Sequence, residues 1–255
     1  DMDKKIDILI IANKQVFPAI DGGAFAIKNL ASILSDQNYC VDMVCISKNN
    51  NVRFCKKSTE SNHYKRIKQI VFVKNMKFNI INFLTSITKH KSYQASRFYE
   101  AKIRDYIQTL INQKKYKIII FESVFTTIYL DKLKIPKKTK TILRAHNVEH
   151  KIWMDLANNN QNYIKKILFR LLAKQIKKIE KNIPKNIDHI FTLSINDEKY
   201  FSELFPNKTH TIPVTFKINT EKYKKIKNSI FHLGAMDWKP NKEGVSWFLE
   251  KVKPL

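Results

Sequence analysis

The stretch that decides the fold is IDILIIA, residues 6–12. Six of its seven residues are apolar, which is too continuous for a strand with one face in water and fits a strand buried on both faces. Similar short apolar runs recur along the chain, and longer amphipathic segments with helical spacing separate them. The runs are residues 41–46, 70–73, 118–121, 141–144, 189–193 and 210–213, and the longest helical segments are 95–115 and 148–182.

This alternation of apolar strands and amphipathic helices predicts the α/β class, with a parallel sheet covered on both faces. Right-handed crossovers then give a doubly wound, Rossmann-like parallel sheet. Such sheets bind ligands outside the carboxyl ends of their strands, where the strand order reverses. The residues directly after each strand are therefore the candidates for a site.

The pattern changes after Pro213, which indicates a domain boundary. We predict an N-terminal Rossmann-like domain over residues 1–213, a polar, basic linker over 214–228, and the first βα unit of a second Rossmann-like domain over 229–255. The strand of that unit would be residues 229–234. Because one βα unit cannot bury its own apolar face, we expect the sequence to be the N-terminal part of a longer protein.

Composition restricts the function classes. The chain has 47 Lys and Arg against 22 Asp and Glu, a formal net charge of +25, which favours a polyanionic partner. The alternative is a general richness in Lys, Asn and Ile, because the basic residues are spread along the chain. Three cysteines without a CxxC pair, no signal-peptide pattern and no apolar run of membrane-spanning length predict a cytoplasmic protein, at most peripheral to a membrane.

Several common sites are missing from the sequence. There is no GxGxxG, no GxxxxGK[ST], no GxSxG, no HExxH and no RNA-binding aromatic motif. Nicotinamide chemistry, ordinary nucleotide hydrolysis, serine hydrolysis and a zinc site therefore lose support. Net charge remains the only argument for nucleic acid.

The first candidate site is the loop FPAIDGG, residues 17–23, between the first strand and the first helix. Adjacent Gly22 and Gly23 at a helix N-terminus let backbone N–H groups approach a phosphate, which the helix dipole favours. A tight turn beside the helix cap is the equally acceptable alternative.

The second candidate is RAHNVEH, residues 144–150, directly after the fifth strand. His146 can exchange hydrogen bonds with a sugar hydroxyl, and Glu149 can orient it. The alternative is a helix start, with Asn147 as the N-cap and Glu149 in the first turn. Glu122, after the fourth strand, could line the same crevice, whereas Ser123 is better explained as a helix cap.

A basic amphipathic helix is predicted around residues 164–179. The helix combines many lysines with an apolar stripe, and such a helix can lie on an anionic lipid surface. Packing of the stripe on the core, with the lysines in water, is the alternative.

Three motifs in this order resemble a known family: the Pro18…Gly22-Gly23 loop, HNVE at residues 146–149, and LGAMDWKPNKEG at residues 233–244. Together they resemble bacterial group 1 (family 4) glycosyltransferases of the GT-B fold, over essentially the whole chain. The last motif is the most specific of the three. Ala235 stands where many members of the family have an arginine, and the glutamate pair of the family's donor domain has no counterpart.

The resemblance implies an acceptor-side domain facing a donor-binding domain, and transfer of a sugar to an acceptor hydroxyl with retention and without a required metal. The donor would be a UDP- or GDP-linked nucleotide sugar, with no further cofactor, and the acceptor a saccharide or a lipid-linked saccharide in cell-surface polysaccharide or glycolipid synthesis. The residues implied are listed by role: His146 and Glu149 as catalytic; Gly22, Gly23, Lys239 and Lys242 toward the donor phosphates; Asp21, Glu122, Arg144 and Asn147 toward the acceptor.

By this resemblance the chain alone is expected to be inactive, with an anionic membrane surface as a further partner and no nucleic acid. The competing hypothesis is a non-catalytic basic Rossmann-like module that binds nucleic acid or anionic lipid.

Overall fold

The structure is a computed structural model that describes residues 7–48, 54–60, 66–89, 92–216, 226–234, 236 and 239–252. The elements in chain order are β1 Asp7–Ala12, α1 Gly22–Asp36, β2 Cys40–Lys48, β3 Phe54–Glu60, β4 Ile67–Lys74, α2 Ile80–Thr88, α3 Tyr93–Phe98, α4 Ala101–Gln113, β5 Ile118–Glu122, a 3-10 helix Val124–Lys132, β6 Lys140–Ala145, α5 Glu149–Asn158, α6 Tyr163–Lys181, β7 His189–Thr192, α7 Ile195–Leu204, β8 Thr209–Thr211, α8 Lys239–Trp247 and a π-helical turn Phe248–Val252. Two compact units result, Asp1–Thr215 and Phe216–Leu255.

The first unit is built on one eight-stranded sheet with the order β3-β4-β2-β1-β5-β6-β7-β8. Seven strands run parallel, and β3 pairs antiparallel with β4 at one edge. The strand order reverses between β1 and β5, which makes this the switch point of a doubly wound sheet. The predicted Rossmann-like α/β fold is confirmed.

The apolar run of β1 is buried on both faces, as its sequence predicts. Leu9 and Ile11 pack on the face covered by α4, the 3-10 helix, α6 and α7, whereas Ile8 and Ile10 pack on the face covered by α1. Successive side chains of a strand point to opposite faces, so a strand between two helical layers must be apolar at nearly every position.

The segment predicted as one helix over 95–115 is two helices, α3 and α4, and the break has a tertiary cause. The hydroxyl of Tyr129 donates to the carbonyl of Phe98 at 2.7 Å and accepts from the backbone N–H of Glu100 at 3.1 Å. This buried hydroxyl satisfies backbone groups that a continuous helix would have satisfied. Its partners are distant in sequence, so helical periodicity alone gave no sign of the break.

Other predicted elements also differ from the structure. The segment 148–182 is divided into α5 and α6 by an Asn-rich turn, in which Asn162 caps α6 by accepting from the N–H of Lys165 at 3.0 Å. The edge strand β3 and helix α2 were not predicted, and the helix expected from Val124 is a 3-10 helix. Ser123 does cap the 3-10 helix, through the N–H of Phe125, as expected.

In the second unit, α8 is present but the strand predicted over residues 229–234 is not. Ile230, Phe231 and Leu233 are almost fully exposed there. A strand needs a neighbouring strand to pair its backbone groups, and the described part of this unit contains no other strand.

None of the helices within the described ranges has the length and apolar character that crossing a bilayer requires.

One buried side chain anchors the loop after β1 to the sheet. Gln69, in β4, accepts from the backbone N–H groups of Val16 and Phe17 at 3.0 and 2.9 Å, and donates to the carbonyl of Phe17 at 2.9 Å. This fixes the start of the segment that leads to Gly22.

We expect Gln69→Leu to lower the free energy of unfolding by about 2–5 kcal/mol, because two buried N–H groups lose their acceptor. Urea denaturation measures the loss. Lys68→Leu, the exposed neighbour on β4, is the matched control and should change the free energy by less than about 0.5 kcal/mol. Equal losses in the two variants would contradict the anchoring role.

Candidate functional site

The candidate site lies at the carboxyl ends of β1, β5 and β6, beside the switch point. In register, Ala12 of β1 lies opposite Glu122 of β5, which lies opposite Arg144 of β6. Neighbouring residues in register share a face of the sheet, and here that face is the one covered by α1. His146 follows two residues after Arg144, so the alternation brings it to the same side.

Glu122 is the centre of this cluster. Its side chain is fully buried, and its two oxygens accept from Arg144 Nη1 at 3.2 and 3.4 Å. His146 Nε2 lies 2.6 Å from Glu122 Oε2. Arg144, which is 4% exposed, also donates to the carbonyl of Ala26 in α1 at 3.3 Å and so ties that helix to the sheet.

The ionised carboxylate of Glu122 determines that Nε2 of His146 carries a hydrogen. Burial by itself would raise the pKa of Glu122, but the charge of Arg144 and the hydrogen bond from His146 hold that pKa below its usual value. An ionised carboxylate only accepts hydrogen bonds, so the hydrogen of the pair is on Nε2 of His146. The ring is thereby oriented by its carboxylate partner.

The glycine loop forms the start of α1, as predicted. Asp21 is the N-cap and accepts from the N–H of Ala24 at 2.8 Å, and Lys14 donates to the same carboxylate at 3.0 Å. A Cβ on Gly23 would lie 2.8 Å from Lys14 Nζ, whereas a Cβ on Gly22 would meet nothing within 4 Å. Gly23 thus gives room to the Lys14–Asp21 pair, whereas the space beside Gly22 is free of other side chains. The Asp21 carboxylate accepts from the N–H groups of Gly23 and Ala24 and so caps the helix N-terminus.

Glu149 is in the first turn of α5, and its carboxyl has an unusual environment. Burial and the nearby charge of Glu180 raise its pKa to about 7, against the lowering influence of His146, Asn147 and Lys14. Asn147 hydrogen-bonds this carboxyl rather than capping the helix, because the cap position is Val148. The alternative role proposed for Asn147 as an N-cap is therefore wrong.

A second buried pair, Glu180 and His150, holds the start of α5. Glu180 of α6 is fully buried; Oε2 lies 2.5 Å from Nδ1 of His150, and Oε1 accepts from the backbone N–H of His150 at 3.2 Å. The ring of His150 also contacts that of Tyr200, with centroids 5.2 Å apart. Glu180 therefore joins α6 to the turn that carries His146 and Glu149.

The structure thus brings together most of the residues predicted from sequence. Those that meet at the switch point are Asp21, Gly22, Gly23, Glu122, Arg144, His146, Asn147 and Glu149. Lys239 and Lys242 belong to α8 in the second unit; Lys242 is exposed, and the side chain of Lys239 lies outside the described residues.

Two members of the site were not predicted. Lys14 comes two residues after β1, so inspection of every strand end would have found it. Glu180 is the single acid in α6, four residues after the buried Ile176, a spacing that places it on the buried face. An acid on the buried side of an otherwise basic helix indicates a specific partner.

We expect Arg144→Met to lower the free energy of unfolding by about 3–5 kcal/mol, because it leaves the buried Glu122 carboxylate without its counter-charge. The double variant E122Q/R144M should recover much of this loss, since a neutral amide needs no counter-charge and still accepts from His146. Urea denaturation of the two variants measures both values. A double variant as unstable as R144M would show that Arg144 acts through packing instead.

We expect Glu149→Gln to stabilise the protein more at pH 8 than at pH 5, by about 1–3 kcal/mol. With a raised pKa, the folded protein holds this proton more tightly than the unfolded chain, so the wild-type loses stability as the pH rises from 4.5 to about 7. The glutamine variant lacks that loss.

Thermal unfolding of wild-type and E149Q at the two pH values measures this difference. Glu203→Gln changes an exposed carboxyl on α7 and is the matched control. An E149Q advantage that does not grow between pH 5 and pH 8 would contradict the assigned environment of Glu149.

Comparison with known proteins gives the following relatives. No protein-family model matches the chain. A curated relative from Klebsiella pneumoniae, "Uncharacterized 44.6 kDa protein in cps region", is 22% identical over 252 residues, which cover 97% of this chain and 61% of the relative. The chain therefore spans less than two thirds of the length of that relative.

Similar solved structures include a sucrose-phosphate synthase from Thermosynechococcus elongatus, with a TM-score of 0.48, 14% identity, and coverage of 82% of this chain and 48% of that one. The catalytic domain of starch synthase IV from Arabidopsis thaliana, bound to ADP and acarbose, has a TM-score of 0.45, 12% identity, and coverage of 82% and 52%. UGT2 from Phytolacca americana, complexed with UDP-2-fluoro-glucose and pterostilbene, has a TM-score of 0.45, 10% identity, and coverage of 86% and 56%. These neighbours are GT-B glycosyltransferases, the group that the sequence motifs resemble.

Proposed function

We propose that this chain is the acceptor-side part of a retaining glycosyltransferase, which transfers a sugar from a UDP- or GDP-linked donor to an acceptor hydroxyl. The observation that carries the proposal is His146, which follows the carboxyl end of β6 and is held by the buried Glu122, at the same edge of the sheet as the N-terminus of α1. The HNVE and KPNKEG motifs support it. A relative in a cps region supports a role in cell-surface polysaccharide or glycolipid synthesis.

In this proposal the donor diphosphate approaches the start of α1. Gly22 and Gly23 begin the helix, where its dipole favours a negative group. The Asp21 carboxylate accepts there from the N–H groups of Gly23 and Ala24, so in this proposal the phosphate shares that position with Asp21. The open space beside Gly22 lets a phosphate come close to the backbone. Lys14, although paired with Asp21, adds positive charge to the same loop.

The sugar then lies against His146. Its ring is fixed by Glu122, and Arg144 keeps Glu122 ionised, so both buried groups act as positioning residues. The sequence resemblance implied that Glu122 and Arg144 contact the acceptor. Because both side chains are buried, we propose the positioning role for them instead. Glu149, whose pKa is about 7, can take up or release a proton on the acceptor side, and Asn147 is exposed beside it.

Donor binding also requires a second domain in this proposal. Lys242, on the exposed side of α8, and Lys239 at the start of that helix are the proposed contacts to the donor from there. The proposed transfer needs no metal, because lysines offset the charge of the diphosphate and backbone N–H groups donate hydrogen bonds to it. The 255-residue chain alone should accordingly not turn over nucleotide sugars, and turnover by it would contradict the domain assignment.

We expect His146→Ala in the full-length enzyme to lower the rate of sugar transfer by about 10²–10⁴-fold, the contribution of a positioned proton-exchanging group. Release of UDP or GDP from a panel of nucleotide sugars measures the rate. His210→Ala, an exposed histidine on β8, is the matched control and should leave the rate unchanged.

An unchanged rate in H146A would remove His146 from the site. Binding of DNA or RNA that weakens steeply with salt, without any effect of nucleotide sugars, would instead favour the non-catalytic basic module.

A further inference from the structure

One stretch of the sequence carries positive charge without any acid. Residues 61–99 contain no Asp or Glu, and they include β4, α2 and α3. Their basic residues are Lys65, Arg66, Lys68, Lys74, Lys77, Lys89, Lys91 and Arg97. Positive side chains that a fold gathers in a concave place attract an anionic ligand.

The fold gathers four of these cations around one cavity of about 400 Å³ at the carboxyl end of β4. Lys74, Lys77, Lys89 and Arg97 line this cavity, which we call the β4–α3 pocket. None of the described residues that line it carries a carboxylate. A volume of this size is within the range of small-ligand sites.

Direct contacts hold the walls of the β4–α3 pocket together. The hydroxyl of Tyr93 in α3 accepts from the N–H of Asn79, the residue that caps α2, at 2.8 Å. The rings of Tyr93 and Phe83 meet at right angles, with centroids 5.7 Å apart. Arg97 Nη2 donates to the carbonyl of Met76, two residues after β4. The cavity is therefore a defined part of the fold.

Arg97 has only neutral acceptors in this pocket. Its Nη1 donates to Oε1 of Gln94 at 2.9 Å, and its Nη2 donates to the carbonyl of Met76. Within the described part of the chain, its Nε is buried and has no hydrogen-bond partner. Burial lowers the pKa of Arg97, but a guanidinium keeps its charge at neutral pH. A partly buried charge without a counter-charge is unfavourable, so an anion beside Arg97 would stabilise it.

Two of the three lysines also lack a counter-charge. Lys74 Nζ lies 3.4 Å from Oε2 of Glu100, which offsets its charge. Lys77 and Lys89 are exposed, and neither forms an ion pair with an acid of the described ranges. A phosphate monoester carries a charge of about −1.5 to −2 at pH 7 and so offsets these cations better than a carboxylate does.

The rest of the lining is polar and suits a hydroxylated ligand. Asn82, Thr85 and Ser96 line the pocket, and all three are exposed. The hydroxyls of Thr85 and Ser96 donate to backbone carbonyls at 3.0 and 2.8 Å. Their oxygens can still accept from the hydroxyls of a ligand. A phosphate alone fills only a small part of the cavity, so a larger polar body fits beside it.

We propose that the β4–α3 pocket binds a phosphorylated sugar. The phosphate would pair with Arg97, Lys77 and Lys89, because ionised donors form the strongest hydrogen bonds with phosphate oxygens. The sugar hydroxyls would face Thr85 and Ser96. An apolar ligand is a poor occupant, because it would leave these cations without a counter-charge.

This pocket is separate from the candidate site at the switch point. Four strand spacings separate β4 from β6, which is about 19 Å at the usual distance between strands. A phosphorylated sugar held here therefore does not occupy the place beside His146. The inference stands on the charges and walls of the pocket, and it does not depend on the proposed transferase activity.

The test is isothermal titration calorimetry of the purified full-length protein with glucose 1-phosphate, inorganic phosphate and glucose, at equal ionic strength. We expect glucose 1-phosphate to bind about tenfold more tightly than inorganic phosphate, and glucose to give no measurable heat. K77Q/K89Q should weaken the binding of glucose 1-phosphate about tenfold or more, because two charged donors are lost. K137Q/K138Q removes the same charge from an exposed turn before β6 and should bind as the wild-type does.

Two further variants assign the position of the phosphate. Arg97→Lys keeps the charge but removes the planar donor group, and should weaken binding about tenfold. Lys14→Gln removes a charge from the loop before α1 and should leave the binding of glucose 1-phosphate to the β4–α3 pocket unchanged. Thermal unfolding without ligand should show unchanged stability in K77Q/K89Q, because both lysines are exposed.

Two results would overturn the inference. One is binding of glucose 1-phosphate that is equal in wild-type, K77Q/K89Q and R97K. The other is binding that K14Q alone abolishes, which would place the phosphate at the start of α1. Inorganic phosphate that binds as tightly as glucose 1-phosphate would keep the phosphate position and overturn the assignment of the sugar. H146A should bind glucose 1-phosphate as the wild-type does, so the failure of either proposal leaves the other standing.

Discussion

The site depends on one buried carboxylate. Glu122 exposes no surface, and an isolated ionised carboxylate in that position would be strongly unfavourable. Arg144, in register on the adjacent strand, compensates the charge, and the remaining hydrogen-bonding capacity goes to His146. The same arginine reaches the carbonyl of Ala26, so the ion pair also holds the first helix against the sheet. The Glu122–Arg144 pair therefore orients the ring of His146 and also holds α1 against the sheet.

Parallel strand pairing makes this arrangement possible. Residues of β1, β5 and β6 that lie in register end at the same edge, and the order of the sheet reverses there. The loop after β1 is fixed at that edge by Gln69, which comes from β4 two strands away. Side chains separated by more than 100 residues thus meet at one crevice because the backbone geometry of the sheet brings them there.

Helix α6 has a buried side that supports the candidate site and an exposed side that is basic. Its buried Glu180 holds the turn with His150 and raises the pKa of Glu149, whereas its exposed stripe carries Ile164, Ile167, Lys174 and Lys178. The sequence shows that this helix is basic and amphipathic, and two alternatives, core packing and lipid binding, follow from that pattern. In the structure one stripe of the helix, with Leu172 and Ile176, is packed in the core, and the opposite stripe is exposed.

The sequence by itself determined the class of fold and the edge of the sheet that holds the candidate site, because continuous apolar strands must be buried on both faces and parallel strands end together. It also placed Gly22, His146 and Glu149 at strand ends. Only the tertiary structure decided the interactions between distant residues: the hydroxyl of Tyr129 that divides α3 from α4, and the Glu122–Arg144 pair that fixes His146. Local periodicity records which face of an element is buried, but the partner of a buried polar group is chosen by contacts that no short stretch of sequence contains.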